Sequence, residues 1–136
     1  MILVLHTHRN TRETIRDISS WLACDTLGAP VIVGLEYRLP EGTAWTLASS
    51  DDKDFDKILT TSGILFMEIT GNLSETPGLL CVPILGKGVP RRVDDVRSFL
   101  VCADDGTPFF YAERTADGGF RGTYYNDANF RECVRR

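Results

Sequence analysis

Residues 98–125 read SFLVCADDGTPFFYAERTADGGFRGTYY, and this stretch decides the fold class. Residues 98–102 are strand formers. Asp104-Asp105-Gly106 is turn chemistry, because Asp caps its own backbone and Gly accepts positive φ. Residues 108–113 form a second strand-like run, Asp117-Gly118-Gly119 a second turn, and residues 120–125 a third run. Turn residues at this spacing between β-branched and aromatic segments predict a three-strand meander.

Working outward, residues 31–38 alternate. Val31, Val33, Leu35 and Tyr37 share one face, and Ile32, Gly34, Glu36 and Arg38 the other, the pattern of a half-buried strand. Leu39-Pro40-Glu41-Gly42 is a turn, and residues 44–48 resume the alternation, which predicts a hairpin. Ser49-Ser50-Asp51-Asp52 is a helix start, with acidic charge near the positive end of the dipole. Phe55, Ile58 and Leu59 make the inward side of a short helix ending near Gly63. Residues 1–5 and 64–70 read as strands. Residues 79–85 read as an edge strand or a packed extended segment, because Pro83 cannot donate to a ladder. Residues 93–97 fit a helical turn or a connection equally.

Residues 11–25 carry a helix signature. Asn10 precedes Glu13 by three residues, as in a capping box. Ile15, Ile18, Trp21 and Leu22 recur at spacings of three and four, and Gly28 and Pro30 would end the helix. Residues 126–136 hold at most a helical turn. No repeat, low-complexity segment or linker is visible. The expectation is a single α+β domain over residues 1–136. It has a mainly antiparallel sheet of about six or seven strands, two helices on one face and the C-terminal meander.

The chain of 136 residues is 43% hydrophobic and 25% charged, within the globular range. A chain of this length buries roughly two-thirds of the surface it exposes unfolded. No apolar run is long enough to span a bilayer, and residues 1–5 are too short for a signal-peptide core. The expected location is the cytoplasm. Twelve of the fifteen basic residues are Arg, which fits a GC-rich bacterial coding sequence. Cys24, Cys81, Cys102 and Cys133 form no CxxC pair, so a zinc ribbon or thioredoxin motif is excluded. Cys81 and Cys102 sit in apolar runs, where cysteine behaves as a small hydrophobe.

Five sets of residues carry possible chemistry. His6 and His8 are two residues apart and would share a strand face. With a carboxylate they could hold a metal, but no third His exists. The same residues would have to serve as the base in any Cys-His or Ser-His-Asp arrangement, and no Gly-x-Ser-x-Gly elbow is present. Gly86-Lys87-Gly88 with Arg91-Arg92 is basic and Gly-rich, but lacks the P-loop spacing. The aromatic and Arg side chains of the meander resemble a base-stacking sheet in composition only. Residues 91–136 hold eight Arg against eight acids, so no electrostatic funnel for nucleic acid exists there. The remaining set is acidic: Asp51, Asp52, Asp54 and Asp56. It lacks the bend glycine of a calcium loop. Helix capping explains two of these residues, and the others would offer an acidic face.

No catalytic constellation or cofactor site emerges. The net charge of −4 lies wholly within residues 1–90. The expected function is binding of a protein partner, with the profile of bacterial immunity proteins, which neutralise toxins. A basic toxin domain would meet Asp51, Asp52, Asp54 and Asp56, with Tyr37, Trp45 and Tyr124 as aromatic anchors. The alternative is a small metal-dependent hydrolase or transferase using His6 or His8. A third class is a ligand-sensing or homodimeric subunit.

Overall fold

A computed structural model describes residues 1–62, 78–83 and 91–135. Ten strands and two helices follow one another as β1 (Ile2–Thr7), β2 (Arg12–Ile15), β3 (Ile18–Cys24), β4 (Pro30–Leu39), β5 (Gly42–Ser49), α1 (Phe55–Ser62), β6 (Gly78–Pro83), β7 (Arg91–Asp94), β8 (Val96–Cys102), β9 (Pro108–Arg114), β10 (Phe120–Tyr124) and α2 (Phe130–Arg135). Sheet I has the order β10-β9-β8-β1-β2 and sheet II the order β5-β4-β3-β6-β7. Every pairing is antiparallel.

The meander, the 31–48 hairpin and the helix after Ser50 form where their turn and cap chemistry places them. Asp105 Oδ1 accepts the Thr107 amide at 2.9 Å, which closes the first meander turn. Asp52 Oδ2 accepts the Ser49 amide at 2.9 Å, and Asp52 carbonyl receives the Phe55 amide as α1 begins. Phe55 and Leu59 then bury the inner side of α1.

Four expectations are corrected. Residues 11–25 form no helix; they are β2, a turn and β3. The stripe of Ile15, Ile18, Trp21 and Leu22 arises because β3 is buried on both faces, with every residue from Ser20 to Cys24 inside. A strand apolar on both sides has no period of two, so it mimics a helix. Second, the described residues alone form ten strands in two sheets, not six or seven in one. Third, the helices lie on different sheets, with α1 against β4 and β5 and α2 against β9 and β10. Fourth, β6 is interior, between β3 and β7. Pro83 is its last residue and sits at a register shift opposite Ile18, where the ladder is already interrupted. Residues 64–70 and 86–90 lie outside the described residues.

The register also shows an internal repeat that is not visible in the sequence. Each half runs strand pair, three-strand meander, helix: β1–β2, β3–β4–β5, α1, then β6–β7, β8–β9–β10, α2. The strand pairs are exchanged. β1–β2 completes the sheet of the second meander through β8, and β6–β7 completes that of the first through β3. Equivalent positions match closely. Asp17 and Asp95 both have positive φ, as do Gly28 and Gly106 in the following turns. The shift between His6 and Thr7 opposite β8 recurs at the end of β6 opposite β3. Ser50 donates its amide to Val31, and Tyr125 to Phe109, before Phe55 and Phe130 open their helices.

The core lies between the two sheets. Leu3, Leu5, Trp21, Leu79, Phe99, Val101 and Phe110 belong to one buried cluster. Trp21 of sheet II meets Phe99 edge-on at 5.1 Å and stacks near Phe110 at 5.9 Å, both in sheet I. Such aromatic pairs contribute about 0.5–1.5 kcal/mol each beyond area burial. A second cluster of Leu22, Val33, Ala48, Phe55, Leu59 and Val82 fills the space between sheet II and α1. Arg114 fastens the sheets together. Its guanidinium donates to Cys24 carbonyl at 2.9 Å and Gly118 carbonyl at 3.0 Å, and it lies 4.0 Å above the Phe120 ring. Burial lowers its pKa.

Candidate functional site

The strand edges β5 and β10 meet around an apolar groove. Trp45 and Leu47 supply one wall, Phe109 the floor, and Tyr124 and Tyr125 the other wall, enclosing about 570 Å³. Trp45 packs on Phe109 with centroids 4.9 Å apart, and its Nε1 donates to Glu36 at 3.4 Å. Glu36 also accepts from the Met1 nitrogen at 2.9 Å, so the carboxylate that orients Trp45 is itself held. Tyr124 rests edge-on against the buried Phe110 at 5.1 Å. Trp45 is 37% exposed, Tyr124 43% and Tyr125 66%. These are large aromatic surfaces braced from behind and open in front.

Carboxylates border the groove. Asp105 lines it from the β8–β9 turn. Burial raises the Tyr124 pKa, and the charge of Asp52 adds to that rise. Backbone and side-chain bonds from Thr107 hold the Asp105 carboxyl below its ordinary range, so it is ionised at neutral pH.

Of the residues singled out from sequence, Trp45 and Tyr124 come together here. Asp51, Asp54 and Asp56 are exposed at the β5–α1 junction and first turn of α1. Asp54 also caps α1 by accepting the Ile58 amide through its carbonyl. Tyr37 lies in β4 opposite Ala44, and its side chain is outside the described residues. Tyr125, Leu47 and Phe109 were not anticipated. Tyr125 follows β10, where alternation no longer predicts its direction.

The other candidates separate. β1 ends at Thr7, and the register shifts there, so His6 and His8 do not share a strand face. His6 is half-buried on β1, and His8 is exposed in the following loop. Burial and the charges of Arg12 and Arg97 lower the His6 pKa. Among the described residues no group of three His, Cys, Asp or Glu side chains could hold a metal ion. Arg91 pairs with Glu13, and Arg92 with Asp94 at 3.4 Å. All four cysteines are free. Burial pushes the Cys24 thiol up to about 11 and the Cys81 thiol up to about 12, so neither is a nucleophile near neutral pH. No described helix is long and apolar enough to cross a membrane.

The two halves supply an internal comparison. Trp45 is equivalent to Phe120, and Tyr124 and Tyr125 to Ser49 and Ser50, by their pairing with Glu36 or Arg114 and with Ile32 or Phe110. The fold accepts two serines at the positions where the groove has two exposed tyrosines. Those tyrosines are therefore not required by the architecture. Comparison with protein families, with curated proteins and with solved structures yields no match to this chain.

Proposed function

We propose that this protein is a bacterial, cytoplasmic inhibitor of the immunity type, which neutralises a toxin or enzyme by binding it through the aromatic groove and its bordering carboxylates. The observation that carries the reading is the groove itself. Trp45, Tyr124 and Tyr125 stand exposed around it on a rigid base of Phe109 and Phe110. Trp and Tyr are the side chains that dominate binding energy at protein interfaces, and rigid backing keeps their entropic cost low. Asp52, Asp105 and the exposed Asp51, Asp54 and Asp56 give the surroundings a negative field, which favours a basic partner and speeds encounter.

The test is affinity capture of the tagged protein from its native lysate, washed at moderate and then high salt. The expected result is one stoichiometric basic protein that leaves as salt rises. The double variant Trp45→Ala/Tyr124→Ala should not retain it, since two central anchors together remove several kcal/mol, on the order of 4. Equal capture by the variant, or no stoichiometric species, overturns the reading.

A further inference from the structure

The two halves diverge at a second place, on the outward face of sheet I. In sheet II one cross-strand row runs Val82, Ser20, Leu35, Thr46. Val82 belongs to the apolar cluster under α1. The equivalent row of sheet I runs His6, Ser98, Glu113, Arg121, and Arg12 on β2 extends it. At the shared bulge, Ser19 of one half corresponds to Arg97 of the other. The same backbone thus accommodates a nearly uncharged row in one sheet and a charged one in the other. The charges of sheet I are not demanded by the register.

This face is concave. α2 has six residues where α1 has eight, and two adjoining cavities of about 580 and 300 Å³ open beside it. Both are lined by Tyr111 and Glu113. Arg121 borders the larger cavity and Arg97 the smaller. The Tyr111 hydroxyl donates to Glu113 Oε2 at 3.4 Å, and the buried Ser98 lines the smaller cavity with both. Arg97 and Arg121 make no ion pair among the described residues, whereas Arg9, Arg91 and Arg92 do. Ser98, opposite Glu113, and Arg121 lie two strands apart, roughly 10 Å. The register thus places Arg97 and Arg121 on the strands that flank Glu113, with Ser98 and Tyr111 beside it, and Glu132 of α2 also lines the larger cavity.

We propose that this cleft binds a small phosphorylated, hydroxyl-bearing molecule of the sugar-phosphate or nucleotide class. Arg121, on the larger cavity, receives the phosphate, whose geometry the planar guanidinium matches, and Arg97, on the smaller, adds positive charge at the other end of the cleft. Glu113 accepts from the sugar hydroxyls, and Ser98 and Tyr111 complete the polar lining. The cavity volumes lie within the range of small-ligand sites. The site is separate from the aromatic groove and shares no residue with it.

Inorganic phosphate, ribose 5-phosphate and adenosine monophosphate are the probes, titrated at constant ionic strength and followed by backbone amide NMR. Ribose 5-phosphate or the nucleotide should give saturable shifts at Ser98, Tyr111 and Arg121. Arg97→Gln/Arg121→Gln should weaken binding at least about tenfold, and Arg16→Gln, an exposed control, should leave it unchanged. Glu113→Gln should weaken ribose 5-phosphate but not inorganic phosphate. Absence of saturable shifts with all three probes overturns the proposal. So does equal loss in Arg16→Gln and the double variant, which marks unspecific attraction to positive charge. Retained spectral dispersion in each variant separates lost binding from lost folding.

Discussion

Gly34 sits opposite Trp21 across the β3–β4 ladder, and a single added methyl there should be costly. A Cβ on Gly34 would lie within 3.0 Å of three atoms of the indole. The indole cannot retreat. It is fully buried and wedged against Phe99 and Phe110. Overpacking of this kind costs about 1–3 kcal/mol, and displaced aromatic contacts add about 0.5–1.5 kcal/mol. Gly34→Ala is thus expected to destabilise by about 2–4 kcal/mol. The second half supplies the remedy. There Phe99 faces Ala112, a smaller ring opposite a larger neighbour. Trp21→Phe removes indole volume. It also removes Nε1, a buried donor with no hydrogen-bond partner among the described residues, whose burial costs about 1–3 kcal/mol. Trp21→Phe alone is therefore expected within about 2 kcal/mol of the wild type. Trp21→Phe/Gly34→Ala should lie within about 1 kcal/mol of Trp21→Phe alone, which makes the cycle strongly non-additive. Urea unfolding followed by far-ultraviolet circular dichroism measures all four proteins without relying on the altered tryptophan. A cost below about 0.5 kcal/mol for Gly34→Ala, or additivity within about 0.5 kcal/mol, refutes the packing argument.

Arg114→Lys should lower stability by about 1–3 kcal/mol in thermal unfolding, because an ammonium cannot span the carbonyls of Cys24 and Gly118 while stacking on Phe120. Thiol titration of the native protein should label the half-exposed Cys133 first, and Cys24, Cys81 and Cys102 only on unfolding. The same buried thiols set a sign for alkaline stability. Their raised pKa values favour the folded state below the ordinary thiol range, and that contribution is lost as pH rises from about 9 towards 12, so unfolding midpoints should fall across that window. Asp54→Lys/Asp56→Lys should slow association with a basic partner and flatten its salt dependence in stopped-flow measurements; an unchanged rate removes this patch from the interface.

The parts of the fold that were legible from sequence are those written in turn and cap chemistry. Asp105, Asp117 and Asp52 fix local geometry by accepting the amides of Thr107, Gly119 and Ser49, and Gly106 and Gly118 do so through positive φ. β3 was not legible. Its outer face packs under α1 and its inner face against sheet I, and a strand covered on both sides has no alternation to read. The repeat was hidden for a related reason. Asp17, Ser20, Leu22 and Cys24 match Asp95, Ser98, Leu100 and Cys102, but of the intervening positions Ile18, Trp21 and Ala23 share only apolar burial with Val96, Phe99 and Val101, and Ser19 stands where the second half has Arg97. The exchanged strand pairs are a tertiary fact with no local signature. Of the groove, Trp45 and Tyr124 were among the residues singled out from sequence. Their convergence was not legible, because it depends on how two edge strands from different sheets meet.

If the charged row of sheet I serves ligand binding rather than folding, installing the other half's row should separate the two properties. His6→Val/Glu113→Leu/Arg121→Thr places the residues of Val82, Leu35 and Thr46 at their equivalent positions. The backbone already carries this row in sheet II, so strain is not expected. His6 and Glu113 are only half-buried, and Arg121 is exposed without an ion pair among the described residues. Removing the exposed Arg121 forfeits little, because exposed charges contribute about 0–1 kcal/mol, and Glu113 gives up its bond from the Tyr111 hydroxyl, about 1 kcal/mol. The added leucine lies beside Tyr111 in the cavity that α2 lines and gains about 1 kcal/mol by burial there. Stability should stay within about 1 kcal/mol of the wild type, or rise, while binding of ribose 5-phosphate is abolished. This is the separation seen where function is retained at the expense of stability. A loss beyond about 2 kcal/mol, larger than exposed polar contacts explain, would make the row a structural network, and the divergence between the halves would then carry no functional meaning.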